Sequence, residues 1–211
     1  MILFTTGTGH QVGKTTITLR LNNILMQKGF HIISLKPIET GVDEIPRDAL
    51  LHAQNQSNER QIDEICFYRF KLPASPFVAD YERVIDINSL KARIKDLEAQ
   101  CDILVIESAG GLFAPITKDY FFIDLIKDLN AFCLLVASDR FGCINDILIH
   151  NEALKSRRIQ FINIINLFDK IHFFKISYPF LKHLPNIFVF QTQENELIEF
   201  LIYKILKDII R

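Results

Sequence analysis

The sequence predicts an α/β fold in which one mostly parallel β-sheet, of about six to seven strands, is covered by helices on both faces. Three observations predict it. Near-continuous apolar runs at residues 2–4, 102–106, 132–137 and 159–165 read as strands buried on both sides, since a sheet with one wet face would alternate. Helix-period stretches separate these runs, and that alternation favours parallel strands joined by crossovers. Each run ends in glycine, glutamate, serine or asparagine, the residue types a ligand meets at the carboxyl edge of such a sheet.

The first strand leads into Thr6-Gly7-Thr8-Gly9-His10-Gln11-Val12-Gly13-Lys14-Thr15-Thr16. Ile17, Leu21, Ile24 and Leu25 then share one helix face, and Gly29 follows as a C-cap. Strand, glycine loop, Gly-Lys-Thr and helix together describe a phosphate-binding loop, which makes the fold P-loop NTPase-like. Backbone N–H groups from Gln11 to Thr16 can surround phosphate oxygens, and the helix N-terminus adds partial positive charge. Lys14 can face β- and γ-phosphates, and the Thr15 hydroxyl can hold Mg²⁺. Gly7 and Gly13 enclose five residues, one more than the usual spacing allows between the first glycine and Gly-Lys-Thr.

Residues 30–35 read as the second strand, stopped by Lys36-Pro37 because proline cannot continue a central strand. Lys36 is either a solvated strand end or a cation at the ligand edge. Thr40-Gly41 supplies a hydroxyl and a flexible turn. Residues 47–56 form a short polar helix, and Asp48 near its start reads by position as a capping residue. Residues 57–85 are expected to be irregular, with a short strand or helical turn. Residues 87–100 form an amphipathic helix with Leu90, Ile94 and Leu97 on one face. Strand 102–106 ends in Glu107-Ser108-Ala109-Gly110-Gly111. A carboxylate after a buried strand, in a chain with a phosphate loop, points to Mg²⁺ binding. A helix over 120–129, a strand over 132–137, an exit loop over 138–143, a helix over 144–157 and a strand over 159–165 ending at Asn166 follow. A Phe-rich helix at 172–183, a short strand at 187–190 and a closing helix at 194–211, with Leu197, Leu201, Ile205 and Ile209 as its stripe, complete the chain.

The 211 residues suffice for a single domain, 1–211, and 49% hydrophobic with 23% charged residues excludes wholesale disorder. A net charge of -1 gives no basic field for nucleic acid or an anionic membrane. No apolar run approaches the length of a spanning helix, and Met1 enters a strand with no charged leader, so a cytoplasmic protein is expected. Cys66, Cys101, Cys133 and Cys143 show no Cys-x-x-Cys spacing and read as reduced thiols.

Several pieces, in order, resemble the dethiobiotin synthetase family: Gly7-Thr8-x-x-x-Val12-Gly13-Lys14-Thr15, Lys36-Pro37 with Thr40-Gly41, Asp48-Ala49, Ser75-Pro76, Glu107-Ser108-Ala109-Gly110-Gly111 and Gly142-Cys143-Ile144-Asn145. That family shares the extra loop residue. The resemblance implies an ATP- and Mg²⁺-dependent carboxylation and ring closure of 7,8-diaminononanoate with CO₂, through a carbamate and a carbamic–phosphoric anhydride. It implies that Lys14 and Lys36 act on the phosphates and the carbamate. It makes Thr15, Asp48 and Glu107 the Mg²⁺ set, displacing the capping role of Asp48. Thr40 and Gly110 would hold the substrate, and Asn166 the base. The family is homodimeric, so Gly142, Cys143, Ile144 and Asn145 would serve the substrate tail of the second subunit. Asn166 is followed by Leu167-Phe168 where the family carries an Asn-Asp-like pair, and the tail after it is short, which predicts looser base recognition. The alternative is a partitioning-type switch ATPase. Such proteins carry an early loop lysine where this chain has Gly9, and glycines where it has His10-Gln11.

Overall fold

A computed structural model describes residues 1–209. The elements are β1 (Ile2–Gly7), α1 (Lys14–Gln27), β2 (Ile32–Leu35), β3 (Ile38–Thr40), α2 (Arg47–Gln54), α3 (Ile62–Ile65), β4 (Tyr68–Phe70), α4 (Pro76–Ala79), α5 (Ile87–Glu98), β5 (Ile103–Glu107), α6 (Phe122–Asp128), β6 (Phe132–Ser138), α7 (Cys143–Ser156), β7 (Phe161–Asn166), α8 (Lys170–Ile176), α9 (Tyr178–Leu181), β8 (Ile187–Val189) and α10 (Glu194–Ile209). The main sheet has six strands in the order β2-β5-β1-β6-β7-β8, and every neighbouring pair is parallel.

Alternation along β1 divides the core into two layers. Ile2 and Phe4 face α5 and α6 through Leu90, Ile94, Phe122 and Leu125. Leu3 faces α1 and α10 through Ile17, Leu21, Leu197 and Leu201. A third cluster at the β8 edge gathers Ile147, Ile165, Phe173 and Leu181. Full burial of each such aliphatic side chain stabilises the fold by roughly 1.5–3 kcal/mol.

Register then places the ligand edge. Leu35 lies opposite Ile106, so Lys36 and Glu107, each the next residue, fall side by side. Thr5 lies opposite Glu107, and Ser138 opposite Asn166. The phosphate loop therefore has Glu107 on one flank and Asn166 on the other.

Three expectations change, and part of one more lies outside the described residues. Pro37 ends β2 as expected, but the chain resumes as β3, which pairs in parallel with β4 as a separate two-stranded ladder. Glu107 is the last residue of β5 rather than the first after it. The helix expected over 172–183 is two helices, α8 and α9, broken at Ser177, with Pro179 in the first turn of α9 where its missing N–H costs nothing. The closing helix is described to Ile209, so residues 210–211 and the Ile209 side chain lie outside the described residues. All four cysteines are free. No helix among the described residues is long and apolar enough to cross a membrane.

Candidate active site

The loop between β1 and α1 turns on Gly13, whose φ of +93° is left-handed. A Cβ there would also meet Asn166 Nδ2 at 2.1 Å, so two independent constraints demand glycine. Val12 is buried and its carbonyl accepts a hydrogen bond from Asn166 Nδ2 at 3.2 Å. Lys14 opens α1. A solvent-facing Lys14 is the simplest expectation for a phosphate-loop lysine, yet it is only 9% exposed, and its ammonium reaches the Gly9 carbonyl at 3.4 Å. Burial and the nearby Lys36 charge lower its pKa.

Lys36 is 4% exposed and engages all three of its ammonium donors. It reaches Glu107 Oε1 at 2.5 Å, Asp48 Oδ2 at 3.0 Å and the Ser108 carbonyl at 3.1 Å. Thr15 Oγ1 donates to the same Glu107 oxygen at 2.9 Å. Burial alone would disfavour both charges, but Glu107 and Asp48 outweigh it and hold Lys36 above its ordinary pKa. Likewise Lys36 and His52 outweigh burial and hold the Glu107 carboxyl well below the usual carboxylate range. A buried pair of this kind is kept by completing its hydrogen bonds, not by Coulomb attraction alone.

His52 completes them. It is 0% exposed, with Nδ1 2.7 Å from Ser34 Oγ and Nε2 3.2 Å from Glu107 Oε2. Ser34 Oγ accepts from Asn22 Nδ2 at 2.7 Å. An ionised carboxylate oxygen can only accept, so His52 Nε2 donates to Glu107 Oε2. Glu39 performs a parallel task for Asp48. Its carboxylate accepts the Asp48 N–H at 3.1 Å and the Ala49 N–H at 2.8 Å, so it caps α2 from β3, while Pro46 at the N-cap position makes no side-chain bond. Burial raises the Glu39 pKa. Asp48 itself makes no capping bond and points to Lys36.

Lys14, Lys36, Glu39, Asp48 and Glu107 line one cavity of about 620 Å³, with His52 behind Glu107 and outside the lining. Of the expected residues, Gln11, Gly13, Lys14, Thr15, Thr16, Lys36, Thr40, Asp48, Glu107, Gly110 and Asn166 line it. Val12 lies behind the loop. Gly142, Cys143, Ile144 and Asn145 do not line it. They begin α7, where Gly142 has φ +88° and the buried Cys143 thiol meets Ser177. His52, Glu39 and Gln191 contact the expected site residues and were missed by sequence reasoning. His52 lies four residues after Asp48, hence on the same face of α2, and Glu39 sits between Lys36 and Thr40; those spacings were available signals. Gln191 carried none. It donates to Asn166 Oδ1 at 2.8 Å.

The donor set suits Mg²⁺. Asp48, Glu107 and Thr15 offer only oxygens, and a cation, the Lys36 ammonium, already occupies their meeting point. Among the described residues no three or more His, Cys, Asp or Glu side chains cluster as metal ligands. A bound ion would therefore draw on water and phosphate oxygens as well, which Mg²⁺ favours.

A glycine loop at a helix N-terminus, backed by a buried lysine and a carboxylate on the neighbouring strand, defines a P-loop nucleotide-binding α/β protein. A family model described as AAA domain matches residues 2–167. The fold is similar to MinD, a cell division protein of Aquifex aeolicus, at TM-score 0.55 and 16% identity over 93% of this chain and 85% of that one. It is also similar to a plasmid partition protein of Borrelia burgdorferi, at TM-score 0.57 and 11% identity over 96% and 98%. Identities this low speak to fold alone. Closer relatives are named ATP-dependent dethiobiotin synthetase BioD. One, from Sulfurovum sp. strain NBC37-1, is 45% identical over 185 residues, 84% of this chain and 88% of the relative. Another, from Wolinella succinogenes, is 39% identical over 210 residues, 95% and 97%. The chain belongs to the ATP-dependent dethiobiotin synthetase family.

Proposed function

We propose that residues 1–211 act as one cytoplasmic domain that makes dethiobiotin from 7,8-diaminononanoate, CO₂ and ATP, a step of biotin biosynthesis. One substrate amine adds to CO₂ and loses a proton, giving a carbamate. A carbamate oxygen attacks the γ-phosphorus, and ADP leaves. The second amine then attacks the carbonyl carbon of the mixed anhydride; phosphate leaves, and the cyclic urea closes.

The observation that carries this reading is the sharing of one cavity by Lys14, Lys36, Thr15, Thr40 and Gly110. Phosphoryl transfer asks mainly for positioning and charge neutralisation. Lys14 and the N–H groups from Gln11 to Thr16 hold the phosphates. Mg²⁺, held by Thr15, Asp48 and Glu107, would neutralise phosphate charge when bound. Lys36 exchanges its carboxylate partners for the carbamate and the γ-phosphate, two anions that must approach each other. Thr40 donates to the carbamate, and Gly110 borders the substrate. The segment from Gly142 to Asn145 lies outside the cavity of its own chain, which fits its service to a second subunit in a homodimer.

Phosphate release from MgATP, measured with and without diaminononanoate and bicarbonate, tests the reading. Release that depends on both additions is expected. A rate indifferent to them would instead mark a switch ATPase of the partitioning type.

A further inference from the structure

We propose that Phe168 is the platform on which the nucleotide base stacks. The platform has meaning only if the cavity holds a nucleotide, as proposed above. The cavity is lined by Lys14, Lys36, Asp48 and Glu107 and also by Asn166 and Phe168. Phosphates belong at the lysines and the helix N-terminus. The base must then lie against the remaining lining, where Phe168 is the one aromatic side chain besides His10.

The amides beside Phe168 are already committed. Asn166 is 8% exposed; its Nδ2 donates to the Val12 carbonyl at 3.2 Å, and its Oδ1 accepts from Gln191 at 2.8 Å. Gln191 is equally committed. Its Nε2 also reaches the Leu167 carbonyl at 3.2 Å, and its Oε1 accepts the Leu167 N–H at 3.1 Å. On the other side Asp139 Oδ2 accepts the N–H groups of Phe168 at 2.7 Å and Asp169 at 2.5 Å. Two side chains thus pin the backbone of 167–169 while the Phe168 ring stays 68% exposed. The ring also borders a neighbouring cavity of about 500 Å³. A large aromatic face on a fixed backbone beside a nucleotide cavity is preorganised for stacking, since ordering the loop costs nothing further on binding. Every base has a π-face, so such a platform binds bases without choosing among them.

The test is equilibrium binding of ATP, GTP, CTP and inorganic tripolyphosphate to the full chain with Mg²⁺. Phe168→Ala should weaken all three nucleotides by about 10- to 100-fold and leave tripolyphosphate unchanged. The chain has no tryptophan, so Phe168→Trp gives a single reporter. Its emission should be quenched by nucleotides and not by tripolyphosphate. Nucleotide affinities of Phe168→Ala within twofold of the unchanged chain would overturn the platform while leaving the nucleotide reading intact. So would an equal loss for tripolyphosphate, which would mean the ring only shapes the loop. Failure of the unchanged chain to bind either ATP or tripolyphosphate would overturn both.

Discussion

His52 acts from beneath the cavity. Its Nε2–H holds Glu107 Oε2, leaving Oε1 to Thr15 and Lys36. A carboxylate oriented on one side by a fixed donor presents its other oxygen in one direction, as partners behind metal ligands commonly do. His52→Leu keeps the site filled but removes the donor; the Mg²⁺ needed for half-maximal turnover should rise about 10- to 100-fold. His52→Gln, which can still donate, should recover part of that loss. A Mg²⁺ titration unchanged in His52→Leu would leave the ring a packing role only. Lys14 is simpler. In the proposed reaction its ammonium would meet the developing γ-phosphate charge, so Lys14→Ala should lose at least about 100-fold in turnover, read from steady-state rates on protein whose fold is checked by circular dichroism. Of Lys36, Thr40, Asp48 and Glu107, only Glu107, after a buried strand, pointed to a ligand by position alone; Lys36 had two readings, Asp48 read as a cap, and with Thr40 they were singled out only by the family resemblance. For His52 the sequence offered only its place on the Asp48 face of α2, not the serine and the carboxylate that meet it across 18 and 55 residues.

Helix α2 is the element on which the site depends most. It carries Asp48 in its first turn and His52 in its last, so one rigid rotation would misplace both. Its N-terminus is held by Glu39 across from β3 rather than by its own cap, and a lost cap costs about 0.5–2 kcal/mol. Glu39→Ala should therefore lower thermal stability modestly and lower kcat more than it raises the KM for ATP, since the phosphate loop is untouched. Equal changes in both constants would show that Glu39 meets the substrate directly. This arrangement was hidden because β3 and β4 are three residues each, too short for alternation to appear, and because they pair with each other outside the main sheet. The central strands were legible for the opposite reason. β5 and β6 are buried at every position and so read as continuous apolar runs. The Phe-rich run after Asn166 looked like one helix because its apolar spacing continues through Pro179, but the chain breaks at Ser177 and restarts with Pro179 in the first turn of α9.

At the scale of the whole molecule the open question is what the start of α7 serves. Gly142 to Asn145 match the family pattern, yet they do not line the cavity of their own chain. Beside them Phe141 is 79% exposed, and Ile149 and Leu148 are 57% and 39% exposed, a concentration of apolar surface that a second copy would cover. In a two-fold dimer each copy offers the same patch; on the proposed reading each α7 start would serve the partner's cavity, so both sites would be completed together. Asn145→Ala should then raise the KM for diaminononanoate well above its effect on the KM for ATP. Lys36→Ala should abolish turnover in its own cavity. When the two variants are mixed and subunits exchange, half of the dimers at random assortment are hybrids. In each hybrid one cavity keeps its own Lys36 and receives an unchanged Asn145, while the other lacks both. Equal mixing should thus restore about a quarter of the unchanged site concentration, with the original KM for diaminononanoate. Restored rate at the raised KM would come from residual Asn145→Ala dimers and not from hybrids. No restored activity, with exchange demonstrated by differently tagged copies, would mean that each chain builds its substrate site alone.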